Sequence, residues 1–265
     1  MKNKSKVVQE NIDRWCGLSD NYNSCRPIPP QVIPEIILKY AQPNPQLVVD
    51  IGSGTGLSTV LWQNIAAEVT GIEPNDDMRA VARQSIKSDN IVFQKGVSNN
   101  TQLPQDSADI VTISQAFHWM DIDSTLDEVY RILKPGGVLA VYDCDWPPCI
   151  DWVVEEEYKA LNQKSESISY AKENPAVKND KGSYIKRFNQ YGKFCFVKEA
   201  ICHSIERCTP ERMFGITMSQ AAIQDALKLD SAMQKDIDAF CDTVNSRLSG
   251  TFDIVFSYRL RLAIK

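Results

Sequence analysis

The sequence predicts an α/β fold: a seven-stranded, mostly parallel sheet with helices on its flanks. Three observations carry the prediction. Short β-branched apolar runs alternate along the chain with stretches whose apolar residues recur at helical spacing. The first run, Leu47–Ile51, breaks directly into Gly52, Gly54 and Gly56 before Leu57, Val60, Leu61 and Ile65 resume a helical period. An acidic residue, Glu73, closes the second run about 20 residues after that turn, where sheets of this kind hold a ribose.

The elements follow in chain order. Residues 1–30 form a polar arm, with Val7, Val8, Ile12 and Trp15 allowing a short amphipathic helix. Arg26-Pro27-Ile28-Pro29-Pro30 is extended and stiffened by proline. Val32, Ile33, Ile36, Ile37 and Tyr40 make a helical stripe that stops at Pro43-Asn44-Pro45. The first strand is Leu47–Ile51, and a helix is expected from about Gly56 to about Ala67. Glu68–Glu73 reads as the second strand, and Pro74-Asn75-Asp76 opens a helix with Met78, Val81, Ala82 and Ile86 facing inward. Ile91-Val92-Phe93 and Asp109–Ser114 are the third and fourth strands. Leu126, Val129, Tyr130 and Leu133 keep helical spacing until Lys134-Pro135-Gly136-Gly137, a helix stop and turn before the fifth strand, Val138–Tyr142. A helix at about 151–164 and a polar loop at 165–183 come next. Phe194–Ile205 is the sixth strand, residues 210–228 and 231–248 are helices, and Phe252–Ala263 is a last strand.

The glycine turn narrows the ligand. Glycines let a ligand approach bare backbone, and N–H groups at a helix start favour electron-rich atoms. A dinucleotide fingerprint would place its third glycine at position 57, which is Leu57. The pattern is instead Asp50-x-Gly52-x-Gly54-x-Gly56. It resembles the first motif of class I S-adenosylmethionine-dependent methyltransferases, whose fold is Rossmann-like and ends in an antiparallel strand. The runs SQAFHWMD (Ser114–Asp121) and ILKPGGVLAVYD, and the spacing Tyr22-x-x-x-Arg26-Pro27, are similar to the type 11, small-molecule group that includes trans-aconitate methyltransferases.

That resemblance implies S-adenosylmethionine as cofactor and assigns candidate contacts. Tyr22 and Arg26 would lie over the cofactor. Gly52, Ser53, Gly54 and Gly56, with Gln115 and Ala116, would meet its methionine end, and Asp50 would orient the turn near its amino group. Glu73 would accept from the ribose hydroxyls. Pro74, Asn75, Met78, Ser98 and Asn99 would border the adenine, although this chain has Asn99 where the family often has an acidic residue. His118, also beside the cofactor, is the candidate general base. Arg26, His118, Trp119 and Trp146 are the candidate acceptor contacts, Arg26 as a clamp should the acceptor be a carboxylate. The family's inserts after the fifth strand build a substrate lid. The expected organisation is therefore an arm over the cofactor at 1–30, a cofactor-binding core at 31–145, a helical lid at 146–192 and the rest of the sheet and helices at 193–265.

Composition bounds the partners. The chain has 265 residues and a formal net charge of −5, a balance that disfavours a nucleic-acid backbone as partner. No base-methylation motif of the N-P-P-Y kind follows the fourth strand. There is no apolar run of the ~18 residues a membrane span needs, and the opening MKNKSKVVQE lacks the apolar segment of a secretion signal. A cytoplasmic location is expected. The eight cysteines form no C-x-x-C and there are only two histidines, so zinc spacing is absent and no metal is expected. Convergence of Cys144 with Cys149, or of Cys195, Cys202 and Cys208, would read as soft-metalloid chemistry. The expected partner is a small-molecule methyl acceptor with an oxygen, nitrogen or carboxylate nucleophile. The oligomeric state is open. The alternatives are a nicotinamide-dependent oxidoreductase and a non-catalytic, S-adenosylmethionine-binding regulatory protein.

Overall fold

The computed structural model describes residues 25–171 and 178–265. A short helix α1 (Val32–Ile37) precedes β1 (Leu47–Ile51), and a 3₁₀ turn (Thr59–Trp62) leads to β2 (Glu68–Ile72). Then come α2 (Asp76–Ser85), β3 (Ile91–Gln94), β4 (Ala108–Ser114), α3 (Ile122–Ile132) and β5 (Leu133–Cys144). The second half holds α4 (Trp152–Tyr170), α5 (Tyr184–Tyr191), β6 (Phe196–Cys208), α6 (Pro210–Met218), α7 (Ala221–Leu229), α8 (Met233–Arg247) and β7 (Phe252–Ile264). The strands form one sheet in the order β3-β2-β1-β4-β5-β7-β6. Pairing is parallel from β3 to β5, and β7 runs antiparallel to β5. The expected Rossmann-like sheet with a last antiparallel strand is thus present.

Register explains why the site forms where it does. Asp50 of β1 lies opposite Gly71 of β2 and Thr112 of β4, and Ile51 lies opposite Ile72. The glycine turn after β1, Glu73 after β2 and Gln115 after β4 therefore leave the sheet at the same carboxyl edge, the edge at which open parallel sheets bind ligands. Beneath it, Val49, Ile51, Ile72, Val111, Ile113, Leu139 and Val141 of the strands pack with Leu126, Val129 and Ile132 of α3 and with Phe117, Tyr184 and Phe188.

The described chain divides into two compact units. The first is the α/β unit, made of Ile28–Cys144, 178–202 and Tyr258–Lys265. The second consists of 25–27, 145–171 and 203–257 and is mainly helical: α4 packs on α7 and α8, and Trp146, Tyr158, Phe240 and Phe256 form a chain of ring contacts with centroids 6.1–6.4 Å apart. The sequence put one insert at 146–192, whereas residues 178–192 fold with the sheet. Burial is the reason. Tyr184 and Phe188 of α5 are fully buried, and the Tyr184 ring meets Phe117 edge-on at 4.9 Å.

Other boundaries differ as well. The helix expected over 56–67 is only the 3₁₀ turn Thr59–Trp62. The hydroxyls of Ser58 and Thr59 both donate to Asp50, a local alternative that competes with helix formation. Helix α4 continues to Tyr170, through residues expected in a loop, and the last third contains three helices rather than two. The fifth strand begins directly at Leu133. While β4 advances from Ala108 to Ile110, β5 advances from Leu133 to Val138, so Lys134–Gly137 bulges out of the ladder with Gly136 at φ +77°.

Candidate active site

The turn after β1 is held from beneath by Asp50. This carboxylate is fully buried and accepts from Ser58 and Thr59 at 2.7 Å each and from Thr112 at 2.9 Å. Burial raises its pKa, against the lowering effect of the three hydroxyls. Asp50 thus acts on the turn itself, tying it to β4. Gly52, Gly54 and Gly56 take φ values of +72°, +55° and +88°, the left-handed region where a side chain is strained. Gly52 also backs onto the end of β4, where a Cβ would come within 2.7 Å of Ala116 Cβ. A Cβ on Gly54 would meet nothing within 4 Å.

The hydrogen bonding of the turn corrects one expectation. The N–H groups of Gly52 and Ser53 donate to the Ile72 carbonyl, that of Gly56 to the Ser53 carbonyl and that of Gly54 to Glu73. These four donors fix the loop, so they are not the outward-facing donors that a helix start would present. The buried Ser53 hydroxyl, by contrast, has no hydrogen-bond partner among the described residues.

Glu73 joins the turn to the second strand. Its Oε2 accepts from Gly54 N–H at 2.9 Å and its Oε1 from Asn75 N–H at 2.8 Å. Burial raises the Glu73 pKa, opposed by these two hydrogen bonds and by Arg79. Arg79 donates to the Glu73 carbonyl at 2.7 Å and pairs with Asp76. Asn75 caps α2 by accepting from Met78 N–H at 3.0 Å; both residues are buried, and Pro74 between Glu73 and Asn75 is half-buried. Glu73, Asn75 and the glycine turn are therefore one hydrogen-bonded group. Ser98 pairs its hydroxyl with Thr125 at 2.8 Å, and Asn99 is exposed.

At the end of β4, Gln115 takes φ +54°, a left-handed backbone without glycine's freedom, while its N–H donates to the Tyr142 carbonyl at 3.0 Å. His118 is buried, with its ring centroid 4.7 Å from that of Trp119. Its Nδ1 lies 3.7 Å from Asp143 Oδ1, beyond hydrogen-bond length. Burial first, then Lys181 and Lys178, draw His118 down to about 4 against the pull of Asp143. The imidazole is consequently neutral at pH 7.

Four residues that were not assigned from the sequence complete this end. Asp143, at the carboxyl end of β5, forms ion pairs with Lys181 at 2.8 Å and Arg261 at 3.1 Å and is held at about 2 despite its burial. Lys181 also donates to Gln115 Oε1 at 3.3 Å. Asn179 donates from its N–H and its side-chain amide to the His118 carbonyl, and from the amide to the Met120 carbonyl at 2.8 Å. Asp143 was legible in principle, as an acid at a parallel strand's carboxyl end. Asn179 and Lys181 lie in a polar stretch with no periodicity to place it.

Two further candidates belong to the helical unit. Arg26 and Trp146 are brought together in the helical unit, the guanidinium carbon 5.4 Å from the ring centroid, and Arg26 donates to the Ser219 carbonyl at 3.1 Å. Tyr22 is outside the described residues. Among the described residues no three His, Cys, Asp or Glu side chains are grouped to hold a metal ion. No helix among them is long and apolar enough to cross a membrane.

Comparison with known proteins agrees with this geometry. Residues 49–141 match the family described as "Methyltransferase domain". A Dictyostelium discoideum protein named as a methyltransferase is 28% identical over 130 residues, 49% of this chain and 48% of its own. A Saccharomyces cerevisiae protein named as an S-adenosylmethionine-dependent methyltransferase is 29% identical over 155 residues, 56% of this chain and 51% of its own. The matches thus span about half the length of these relatives. Among solved structures, one named as a type II methyltransferase from Anaeromyxobacter dehalogenans superposes with a TM-score of 0.69 at 17% identity, covering 90% of this chain and 97% of that one. A Haemonchus contortus phosphoethanolamine N-methyltransferase, solved with phosphomonomethylethanolamine and S-adenosylhomocysteine, gives 0.54 at 17% identity, covering 97% and 60%. At such identities the likeness is one of fold.

Proposed function

We propose, from the match of residues 49–141 to the methyltransferase-domain family, that this chain transfers a methyl group from S-adenosylmethionine to a small-molecule acceptor. The observation that carries the reading is the bond from Gly54 N–H to the Glu73 carboxylate, 2.9 Å, which makes the glycine turn and the acid after β2 a single seat. Two features suit that seat to an adenosyl cofactor. Among the described residues the buried Ser53 hydroxyl has no partner, and none lies on the side of Gly54 where a Cβ would project.

In this reading Glu73 accepts from the ribose hydroxyls. Pro74, Asn75, Met78, Ser98 and Asn99 border the adenine, while Gly52–Gly56, Gln115 and Ala116 hold the methionine end. The bound cofactor supplies a methyl group already activated on a sulfonium. The chain's task is then to align the acceptor and exclude water. His118, neutral at pH 7, takes a proton from an acceptor that must lose one. Arg26 and Trp146 are retained as proposed acceptor contacts. The net charge of −5 favours a small acceptor over a nucleic acid.

Equilibrium dialysis against labelled S-adenosylmethionine and labelled NAD tests the reading. Retention of the first and not the second is expected. The reverse pattern would move the chain to oxidoreductases. Binding without methyl transfer to any member of a panel of hydroxyl, amine and carboxylate compounds would favour a regulatory protein. With an acceptor identified, His118→Ala turnover at saturating substrate equal to wild type removes the base. Unchanged acceptor affinity in Arg26→Ala removes the clamp.

A further inference from the structure

We infer that Lys181 is a positioning residue of the proposed transfer site: by binding both Asp143 and Gln115, it ties the end of β4 to the end of β5 and stands at the Asp143 oxygen that faces His118. The inference rests on the proposed methyl-transfer reading and deepens it, because it names a residue that acts, beside burial, on the candidate base.

The geometry poses a problem that Lys181 solves. A buried carboxylate 3.7 Å from an imidazole ordinarily favours the charged ring. Here that carboxylate stands between two cations. Arg261 reaches Asp143 Oδ2 at 3.1 Å from β7 and is itself only 2% exposed. Lys181 reaches Oδ1, the oxygen facing His118, at 2.8 Å. The negative charge nearest the ring is thus matched by the lysine. Among the described residues, the other charged and titratable groups around the pair include Lys178, the Tyr184 phenol of α5 beside Asp143, Asp180, which also acts on that phenol, and Glu199 of β6, which binds Arg261 at 3.0 Å. Lys178 adds a second positive charge on the ring's side, and its Nζ lies 6.0 Å from the Trp119 ring centroid.

The same ammonium has a second contact that a plain counter-ion would not need. It donates to Gln115 Oε1, and Gln115 carries the left-handed backbone between β4 and Ala116. Strained non-glycine backbone persists where surrounding contacts over-determine it. Asn179, two residues earlier, fastens the segment to the His118 and Met120 carbonyls. One lysine therefore links the residue proposed at the cofactor's methionine end to the residue proposed to take the acceptor's proton. In that step the acceptor's N–H or O–H pair stays on the acceptor, and the proton passes to the imidazole lone pair.

Histidine NMR on the cofactor-free protein tests this directly, since the chain has only two histidines and His203→Gln leaves His118 alone. The His118 ring is expected to titrate well below pH 6. In Lys181→Met it should titrate at least about one pH unit higher, since a cation is lost and Asp143 is released toward the ring. Lys181→Arg should restore the low value, and Asp143→Asn should move it in the opposite direction from Lys181→Met. The acid limb of the pH–rate profile should follow the ring. A wild-type His118 that titrates near 6.5, or one that Lys181→Met leaves unmoved in a folded protein, overturns the inference. If Lys181→Met does not fold, Lys181→Gln serves, and a His118 ring left unmoved there overturns the inference equally. S-adenosylhomocysteine calorimetry is read separately: no heat there, with the expected His118 shifts, sinks the methyl-transfer reading and not the electrostatic coupling.

Discussion

Three glycines sit at alternate positions after β1, and they are not equivalent. Gly52 is fixed by both φ and crowding, since a Cβ there would overlap Ala116. Gly52→Ala should therefore lower stability by about 2–4 kcal/mol, as left-handed strain and overpacking combine. At Gly54 the φ is positive but the space is open. Gly54→Ala should cost only about 1–2 kcal/mol of stability, yet weaken S-adenosylhomocysteine binding well beyond that, because the added methyl enters the proposed seat. Chemical denaturation beside calorimetry separates the two, and equal binding by Gly54→Ala and wild type would place the ligand elsewhere. Asp50 shows the limit of reading a motif as a list of ligand contacts. Its position in D-x-G-x-G-x-G was legible, but the three hydroxyls that occupy its carboxylate come from Ser58, Thr59 and Thr112, and only the strand register brings Thr112 there.

The elements were legible in proportion to the strength of their periodicity. Every strand was expected from alternation or an apolar run, and α3 ends where Lys134-Pro135-Gly136-Gly137 required. The stretch 56–67 read as a helix because Leu57, Val60, Leu61 and Ile65 have the right spacing, but period alone does not show that Asp50 draws on the hydroxyls of Ser58 and Thr59. The segment 178–183 was illegible for the opposite reason. It has no period, and Asn179 and Lys181 earn their place only through contacts with residues more than 35 positions away. Asn179→Ala should cost about 1–2 kcal/mol, from the loss of its side-chain bonds to two carbonyls, and hydrogen exchange should quicken over 178–183. Another tether has a pH signature. Glu128 of α3 accepts from Thr101 N–H and hydroxyl, and Arg131 holds it at about 2 rather than its ordinary 4.5. A carboxylate depressed in the folded state stabilises above its unfolded pKa and loses that contribution as pH falls through the folded one. The difference in Tm between wild type and Glu128→Gln should thus be full at pH 7 and shrink between pH 4.5 and about 2. A difference independent of pH would contradict the assignment.

For the whole molecule, the order of the seven strands and the matched segment 49–141 concern the same carboxyl edge. That edge was readable because D-x-G-x-G-x-G and Glu73 are local signals whose spacing reflects one βαβ unit. The division of the second half was not, since it depends on which apolar faces find each other. Tyr184 and Phe188 bury against Phe117, and Tyr158 and Phe240 against each other, from sequence patterns that look alike. The most direct measurement is isothermal titration of S-adenosylhomocysteine into wild type and Glu73→Ala, with circular dichroism confirming both folds. A single site in wild type, weakened at least about tenfold by the substitution, is expected from the loss of charge-assisted hydrogen bonds. Equal affinity in the two proteins, or no heat in a folded wild type, would contradict a cofactor seat built on Glu73 and the glycine turn.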